Sequence, residues 1–155
     1  MTKTNAMRLL EQANIPFQIA EYEFDENDLN GMHAADGIRM PPEQVFKTLV
    51  ARGDKNGISV FCIPVCCELD LKKAAKASGD KKIELLHVKD LLPTTGYIRG
   101  GCSPIGMKKK FPTYLEETAQ LYDKIGVSAG MRGCQILLAP DALGEFVEAD
   151  YYDLT

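Results

Sequence analysis

The sequence predicts an α+β fold, a mixed and strongly curved β-sheet with helices on its outside. Three observations lead there. Hairpin signals outnumber regular strand–helix–strand alternation, the clearest being Asp54-Lys55-Asn56-Gly57 between two apolar runs. Ile58 to Val65 is almost continuously apolar, as expected of a central strand buried on both faces. The chain also reads as more strands than helices, which places the helices on the outside of the sheet.

Taken in order, Thr4 to Ala13 reads as a helix, because Ala6, Leu9, Leu10 and Ala13 share one face. Asn14 and Pro16 stop it. Phe17 to Phe24 reads as a strand, with Ala20, Tyr22 and Phe24 on one face. Asp25 to Gly31 is polar and turn-like, and Met32 to Ile38 is a short helix before Pro41-Pro42. Gln44 to Arg52 forms the second strand. Lys47 is the only charge in the row Val45, Lys47, Leu49, Ala51, while Phe46, Thr48 and Val50 face the other way. Pro64 marks the end of the central strand.

Asp70 is an N-cap for a helix from Leu71 to Ser78, and Gly79 closes it. Ile83 to Leu86 is a short strand. His87 to Leu92 is a helical turn that Pro93 should stop. Next comes Gly96-Tyr97-Ile98-Arg99-Gly100-Gly101-Cys102-Ser103-Pro104-Ile105-Gly106, a tight glycine corner and a shaped loop. Thr113 to Leu115 is a strand, Glu116 to Leu121 a short helix or turn, and Asp123 to Ser128 a strand. The latter leads into a second glycine loop, Ala129 to Gly133. Cys134 to Ala139 is another apolar strand, and Pro140 starts the last helix, where its missing donor costs nothing. Glu148 to Thr155 is an acidic, aromatic tail. The total is about six or seven strands and four helices.

The length, 155 residues, fits one domain spanning 1–155. Hydrophobic residues at 45% and charged residues at 26% match an ordinary globular chain. The net charge of −4 supplies no global field for nucleic acid, so any RNA contact must be local. No apolar run approaches the roughly 20 residues of a membrane span, and no secretory signal opens the chain, so cytoplasmic is the default and no membrane partner is expected. Five cysteines without a Cys-x-x-Cys spacing read as reduced structural thiols, and no metal site is expected, since neither histidine sits at ligand spacing from a Cys pair.

Several residues carry possible chemistry. A lysine in an apolar row loses hydration and can act as a base or hold an anion; equally, its stem packs inside while its ammonium reaches water. Ser103 lacks the Gly-x-Ser-x-Gly elbow, so loop geometry or a ligand hydrogen bond suits it better than nucleophilic attack. Cys102 has no marked base and reads as a small apolar filler. The amides of the two glycine loops can bind a carbonyl oxygen, ribose or phosphate. Lys72, Lys73, Lys76, Lys81, Lys82 and Lys108-Lys109-Lys110 form a local positive field that can steer a phosphate backbone.

Together, Val45-Phe46-Lys47-Thr48-Leu49, Leu71-Lys72-Lys73-Ala74-Ala75-Lys76, Gly96 to Gly106 and Val127-Ser128-Ala129-Gly130-Met131-Arg132-Gly133 resemble the YbaK/EbsC family of aminoacyl-tRNA editing proteins. That family is related to the editing domain of bacterial prolyl-tRNA synthetases, and the resemblance spans almost the whole chain. It implies a partial barrel of curved mixed sheet with flanking helices. It also implies metal-free and cofactor-free hydrolysis of mischarged aminoacyl-tRNA, cysteinyl-tRNA(Pro) in the YbaK branch. The resemblance places catalytic roles on Lys47, Gly100 and Gly101, and substrate contacts on Tyr22, Phe46, Thr48, Ser103, Pro104, Ser128 and Gly130. The Gly100-Gly101 amides would bind the ester carbonyl, and Lys47 the terminal ribose or phosphate. Expected partners are the tRNA(Pro) acceptor end and prolyl-tRNA synthetase. Ala129, in place of a usual glycine, is expected to narrow the pocket, and Gln135 stands where some relatives carry an acid. The alternatives are editing of another small residue such as alanyl-tRNA(Pro), a non-catalytic tRNA- or nucleotide-binding module, and a Cys/Ser hydrolase of a small ester.

Overall fold

The computed structural model describes residues 3–155. Helix α1 (Asn5–Gln12) starts where the Thr4 side chain accepts the Met7 N–H, and it buries Ala6, Met7 and Leu10. Strand β1 (Gln18–Glu21) is shorter than its alternation suggests, although the Tyr22 N–H extends the ladder by donating to the Gly133 carbonyl at 2.9 Å. Helix α2 (Gly31–Gly37) is capped by Asn30. The hairpin follows as β2 (Phe46–Gly53) and β3 (Gly57–Pro64), in register from Phe46 opposite Pro64 to Gly53 opposite Gly57. Helix α3 (Leu71–Ser78) has Asp70 accepting from the Lys72 and Lys73 amides, and Gly79 in the left-handed region at its end.

Then come β4 (Ile83–Leu85), α4 (Val88–Thr95), β5 (Thr113–Glu116), β6 (Ile125–Ser128), β7 (Cys134–Leu138), α5 (Pro140–Val147) and β8 (Asp150–Tyr152). The strands form two sheets, an antiparallel one in the order β1-β7-β6 and a mixed one in the order β4-β2-β3-β5-β8. A parallel bridge between Val45 and Gly126 joins them at the start of β2. The result is the curved, unclosed mixed sheet that the sequence predicts.

The main core, with Met7, Leu10, Phe46, Val60, Cys62, Ile105, Leu115, Ile125 and Ile136, fills the space enclosed by the curve. A second cluster, with Ala51, Phe61, Ile63, Ala74, Ala75, Ile83 and Leu154, seals α3 onto the outer face of the hairpin. β3 thus contributes Val60 and Cys62 to one cluster and Phe61 and Ile63 to the other, which explains its unbroken apolar run.

Two elements differ from the sequence reading. Helix α4 continues past Pro93 to Thr95. Only one carbonyl, four residues back, loses its donor, and the Thr95 hydroxyl binds the Leu91 carbonyl at 2.8 Å. The acidic tail forms β8, parallel to β5. Its end is fastened by the main chain: the Leu154 N–H donates to Glu116 Oε1 at 2.9 Å, and the Leu154 carbonyl accepts from the Asp70 N–H at 2.8 Å. The Leu154 side chain is fully buried. Replacing it by alanine should lower the unfolding free energy by about 2–5 kcal/mol, read from the denaturant midpoint.

Asp80 locks the hairpin to the end of α3. Its carboxylate accepts from Ser78 Oγ at 2.6 Å, from the Asn56 N–H at 2.7 Å and from the Lys55 N–H at 2.9 Å. Gly53 is required beside it, since a Cβ there would sit 2.1 Å from Asp80 Oδ2. The Ser78 hydroxyl, with the two amides, holds the Asp80 carboxyl below its ordinary range. Between the folded and unfolded values the unfolded chain binds more protons, so Asp80 contributes stability above the ordinary carboxylate pKa and loses it as pH falls through the depressed one. Asp80→Asn should therefore show a shallower loss of melting temperature on acidification than the unaltered protein.

Candidate active site

The cleft begins with an incomplete strand pairing. Antiparallel register turns alternate residues toward alternate neighbours. The Val65 N–H donates to the Val45 carbonyl, so Val45, Lys47 and Leu49 turn their main-chain groups to β3. Phe46, Thr48 and Val50 turn theirs to the other edge. There β4 pairs only with Ala51 to Gly53, the Leu86 N–H reaches the Val50 carbonyl at 2.9 Å, and the only bridge to β6 is the one from Val45 to Gly126, among the described residues. Between these contacts the β2 edge borders a cleft of about 750 Å³ that wraps both faces of the strand.

Phe46, Lys47 and Thr48 line this cleft from the edge. Among the described residues no carboxylate lies within ion-pair distance of Lys47. The antiparallel sheet supplies a polar wall. Gln135 pairs with Ser128 on one side and with Ala20 on the other, so these side chains share a face, and Tyr22 lies two residues beyond Ala20. Tyr22, Ser128 and Gln135 all line the cleft. Gln135 is 5% exposed, and its Oε1 has no hydrogen-bond partner. An orphan buried acceptor is costly, and a bound donor relieves it.

The long glycine loop forms the facing wall through Arg99, Gly100 and Cys102. It is interlocked with the second glycine loop. Arg132 Nε donates to the Arg99 carbonyl at 2.9 Å, a Cβ on Gly130 would lie 3.0 Å from the Tyr97 ring, and one on Gly101 would lie 3.2 Å from the Met131 carbonyl carbon. The Tyr97 hydroxyl donates to the Ile105 carbonyl, and the Ile105 N–H donates to Ser103 Oγ at 3.2 Å.

Of the residues expected at the site, the fold brings Tyr22, Phe46, Lys47, Thr48, Gly100 and Ser128 to the cleft. Gly101, Ser103, Pro104 and Gly130 lie behind its wall. The Gly101 N–H is spent on the Ile98 carbonyl at 3.0 Å, which corrects the expectation that both glycine amides are free for a ligand. Ser103 is fully buried and shapes the loop. The Gly130 N–H is taken by Ser128 Oγ at 3.2 Å. Ala129 is fully buried in the main core, so its methyl does not narrow the cleft.

The sequence reading overlooked two walls. The segment from Asn27 to Gly31 closes one end, with Leu29 against Gly100. Leu85, Leu86, Val88 and Leu91 form an apolar side, and Leu85 and Val88 remain exposed. Their signal was the density of leucine and valine on both sides of His87, too much for one short strand and turn. Among the described residues, no group of three or more His, Cys, Asp or Glu is placed to hold a metal ion.

A family model, the aminoacyl-tRNA editing domain, matches residues 32–146. The chain belongs to the aminoacyl-tRNA editing family. An Enterococcus faecalis relative, named "Putative Cys-tRNA(Pro)/Cys-tRNA(Cys) deacylase EbsC", is 54% identical over 153 residues, covering 99% of this chain and 93% of that one. The Bacillus subtilis protein YwhH is 26% identical over 80% of this chain and 78% of its own. Two solved structures share the fold of this editing-family chain. One is described as "a putative trans-editing enzyme for prolyl tRNA synthetase", with a TM-score of 0.84, 23% identity and 99% of both chains covered. The other is the hypothetical protein APE2540, with a TM-score of 0.85, 17% identity and 95% and 96% covered.

Burial pushes the Cys102 thiol up to about 12, which disfavours its thiolate. Cys62 is fully buried, whereas Cys66 is exposed. Alkylation of the native protein at pH 8, followed by peptide mass spectrometry, should label Cys66 readily and leave Cys62 and Cys102 protected. Labelling of Cys102 as fast as Cys66 would contradict this assignment.

Proposed function

We propose that the cleft hydrolyses the ester of mischarged cysteinyl-tRNA(Pro), with Lys47 and the Gly100 amide acting on the esterified adenosine. The reaction class follows from the family: the chain is an aminoacyl-tRNA deacylase, a hydrolase of ester bonds. The substrate class is supported by the 54% identity to EbsC. The observation that carries the reading is the convergence of Lys47, which has no carboxylate partner among the described residues, with Gly100, Tyr22, Thr48, Ser128 and the orphan Gln135 Oε1 around one cleft.

An aminoacyl ester is already activated, so positioning and stabilisation of the developing oxyanion matter more than a strong base. The Lys47 ammonium supplies positive charge for a phosphate or for that oxyanion. Gly100 lines the cleft, and no acceptor among the described residues takes its N–H, so it can donate to the ester carbonyl. Gln135 Oε1 suits a substrate N–H or O–H, the α-ammonium or a ribose hydroxyl. Cys102 is half-buried in the cleft wall, and the cost of burying a thiolate keeps it a thiol, which argues against it as the nucleophile. Attack falls to the substrate's own thiol: sulfur bonds to the carbonyl carbon, the ester C–O bond breaks, and the ribose oxygen leaves with the proton. Water then opens the thiolactone to free cysteine. This route needs no metal or cofactor. Nothing in the chain resembles an anticodon reader, so selection of tRNA(Pro) would come from a complex with prolyl-tRNA synthetase.

Lys47→Ala should lower kcat/KM on cysteinyl-tRNA(Pro) by about 10²–10³-fold, the scale of losing one oxyanion-stabilising group. Cys102→Ala should stay within about threefold, an effect of packing alone. A Lys47→Ala protein as active as the unaltered one would remove Lys47 from the mechanism. Alanyl-tRNA(Pro) offers no thiol and should be cleaved far more slowly; equal rates would exclude the substrate-thiol route and favour general editing of small residues.

A further inference from the structure

A second groove, of about 630 Å³, lies against the far end of β2 and β4. Arg52, Lys72, Lys81 and Lys82 line it, facing only two carboxylates, Asp54 and Glu84. Both acids have local work. Asp54 Oδ1 accepts the Lys81 and Lys82 amides at 3.0 and 3.2 Å, while the Asp54 N–H donates to the Lys82 carbonyl at 3.1 Å. Glu84 stands directly across the strand pair from Arg52. The Asp54 bonds hold the backbone of the two lysines in place, so two positive side chains leave a fixed turn beside α3.

The structure also sorts the lysines that the sequence presents as one cluster. Lys73 is paired with Asp153 at 2.9 Å and Lys110 with Glu148 at 2.5 Å. Among the described residues, Lys72, Lys81 and Lys82 have no carboxylate within ion-pair distance.

The groove lies further along the same two strands, β2 and β4, that border the cleft. Val50 and Leu85 line the cleft, whereas Arg52 and Glu84 line the groove. Two residues of strand separate Val50 from Arg52, about 7 Å. An RNA strand carries a phosphate at every nucleotide, with a spacing of a few ångströms along its axis. We propose that Arg52, Lys72, Lys81 and Lys82 bind the phosphodiesters of the RNA strand that runs into the cleft, one to three nucleotides before its esterified end. This placement rests on the cleft as the ester site, but it concerns affinity for RNA and not the chemical step. It also accounts for RNA binding by a chain of net charge −4, through a confined track instead of a global field.

The test uses the full chain and a triple variant, Lys72→Gln/Lys81→Gln/Lys82→Gln, with an uncharged acceptor-stem hairpin as the binding probe. The variant should bind at least about tenfold more weakly at moderate salt. The slope of log K against log salt should be shallower by about 2, as expected on losing three cations from a single strand. The matched Lys→Arg triple variant should restore both. The single Lys72→Gln, on α3, should lower the slope by a smaller step and serves if the triple variant folds poorly. On a 3′-cysteinyl nucleoside without upstream phosphates, the triple variant should match the unaltered protein in kcat/KM; on the charged hairpin it should fall at least about tenfold. Unchanged affinity and salt slope would overturn the proposal, as would an equal loss on the nucleoside ester. Binding is read without any ester, so a protein that hydrolyses no mischarged tRNA would refute the cleft reading while the groove is still decided.

Discussion

The site depends on one unfinished pairing. β2 stands where the two sheets meet, bridged among the described residues to β6 only through Val45 and to β4 only through Ala51 to Gly53. A closed barrel would satisfy every edge group, but here, among the described residues, the main-chain groups that Thr48 turns to this edge enter no strand ladder. An open edge inside a curved sheet is both a liability and an opportunity. It offers hydrogen-bonding groups on a rigid strand, with side chains on both of its faces, and it is kept from pairing with other chains by the loops and leucines that wall it in. The two hydrophobic clusters on either side of the hairpin keep that strand rigid.

The glycine loops support this edge without contributing much chemistry of their own. Their glycines serve packing: Gly101 against the Met131 backbone, Gly130 against Tyr97, Gly100 against Leu29. Gly100 and Gly130 also take positive φ, which a larger residue adopts only with strain. Ser103 and Ser128, whose hydroxyls invite a catalytic reading, each accept a nearby amide instead. The loops thus act as a clamp, interlocked through Arg132 and the Arg99 carbonyl, that holds Gly100 at the cleft wall.

Charge is divided in the same way. Of the cations that the fold pairs with carboxylates, Lys73 and Lys110 tie the tail and α5's end to the body of the protein. Among the described residues, Lys47 in the cleft and Lys72, Lys81 and Lys82 in the second groove have no carboxylate within ion-pair distance, and they line the two concave surfaces. A chain with net negative charge can therefore carry two local positive surfaces, and neither is visible in the total.

Local chemistry was legible in the sequence. Asp70 and Gly79 bound α3, Gly57 turns the hairpin, the apolar run of β3 reports burial on both faces, and the isolation of Lys47 in an apolar row singles it out; each depends only on neighbouring residues. The two glycine loops come together at one wall of the cleft, as their shared motif content led one to expect. What the sequence could not decide is where groups point once the chain has closed on itself. The Gly101 amide is lost to Ile98, Ser103 turns inward, and Gln135 emerges as an orphan acceptor because the β6–β7–β1 register places it beside Ser128 and near Tyr22. β8 exists only because β5 offers it an edge, and the tail carries no alternation that would announce it. Hydrogen bonds between distant segments, not local preference, settle such questions, and they form only in the tertiary structure.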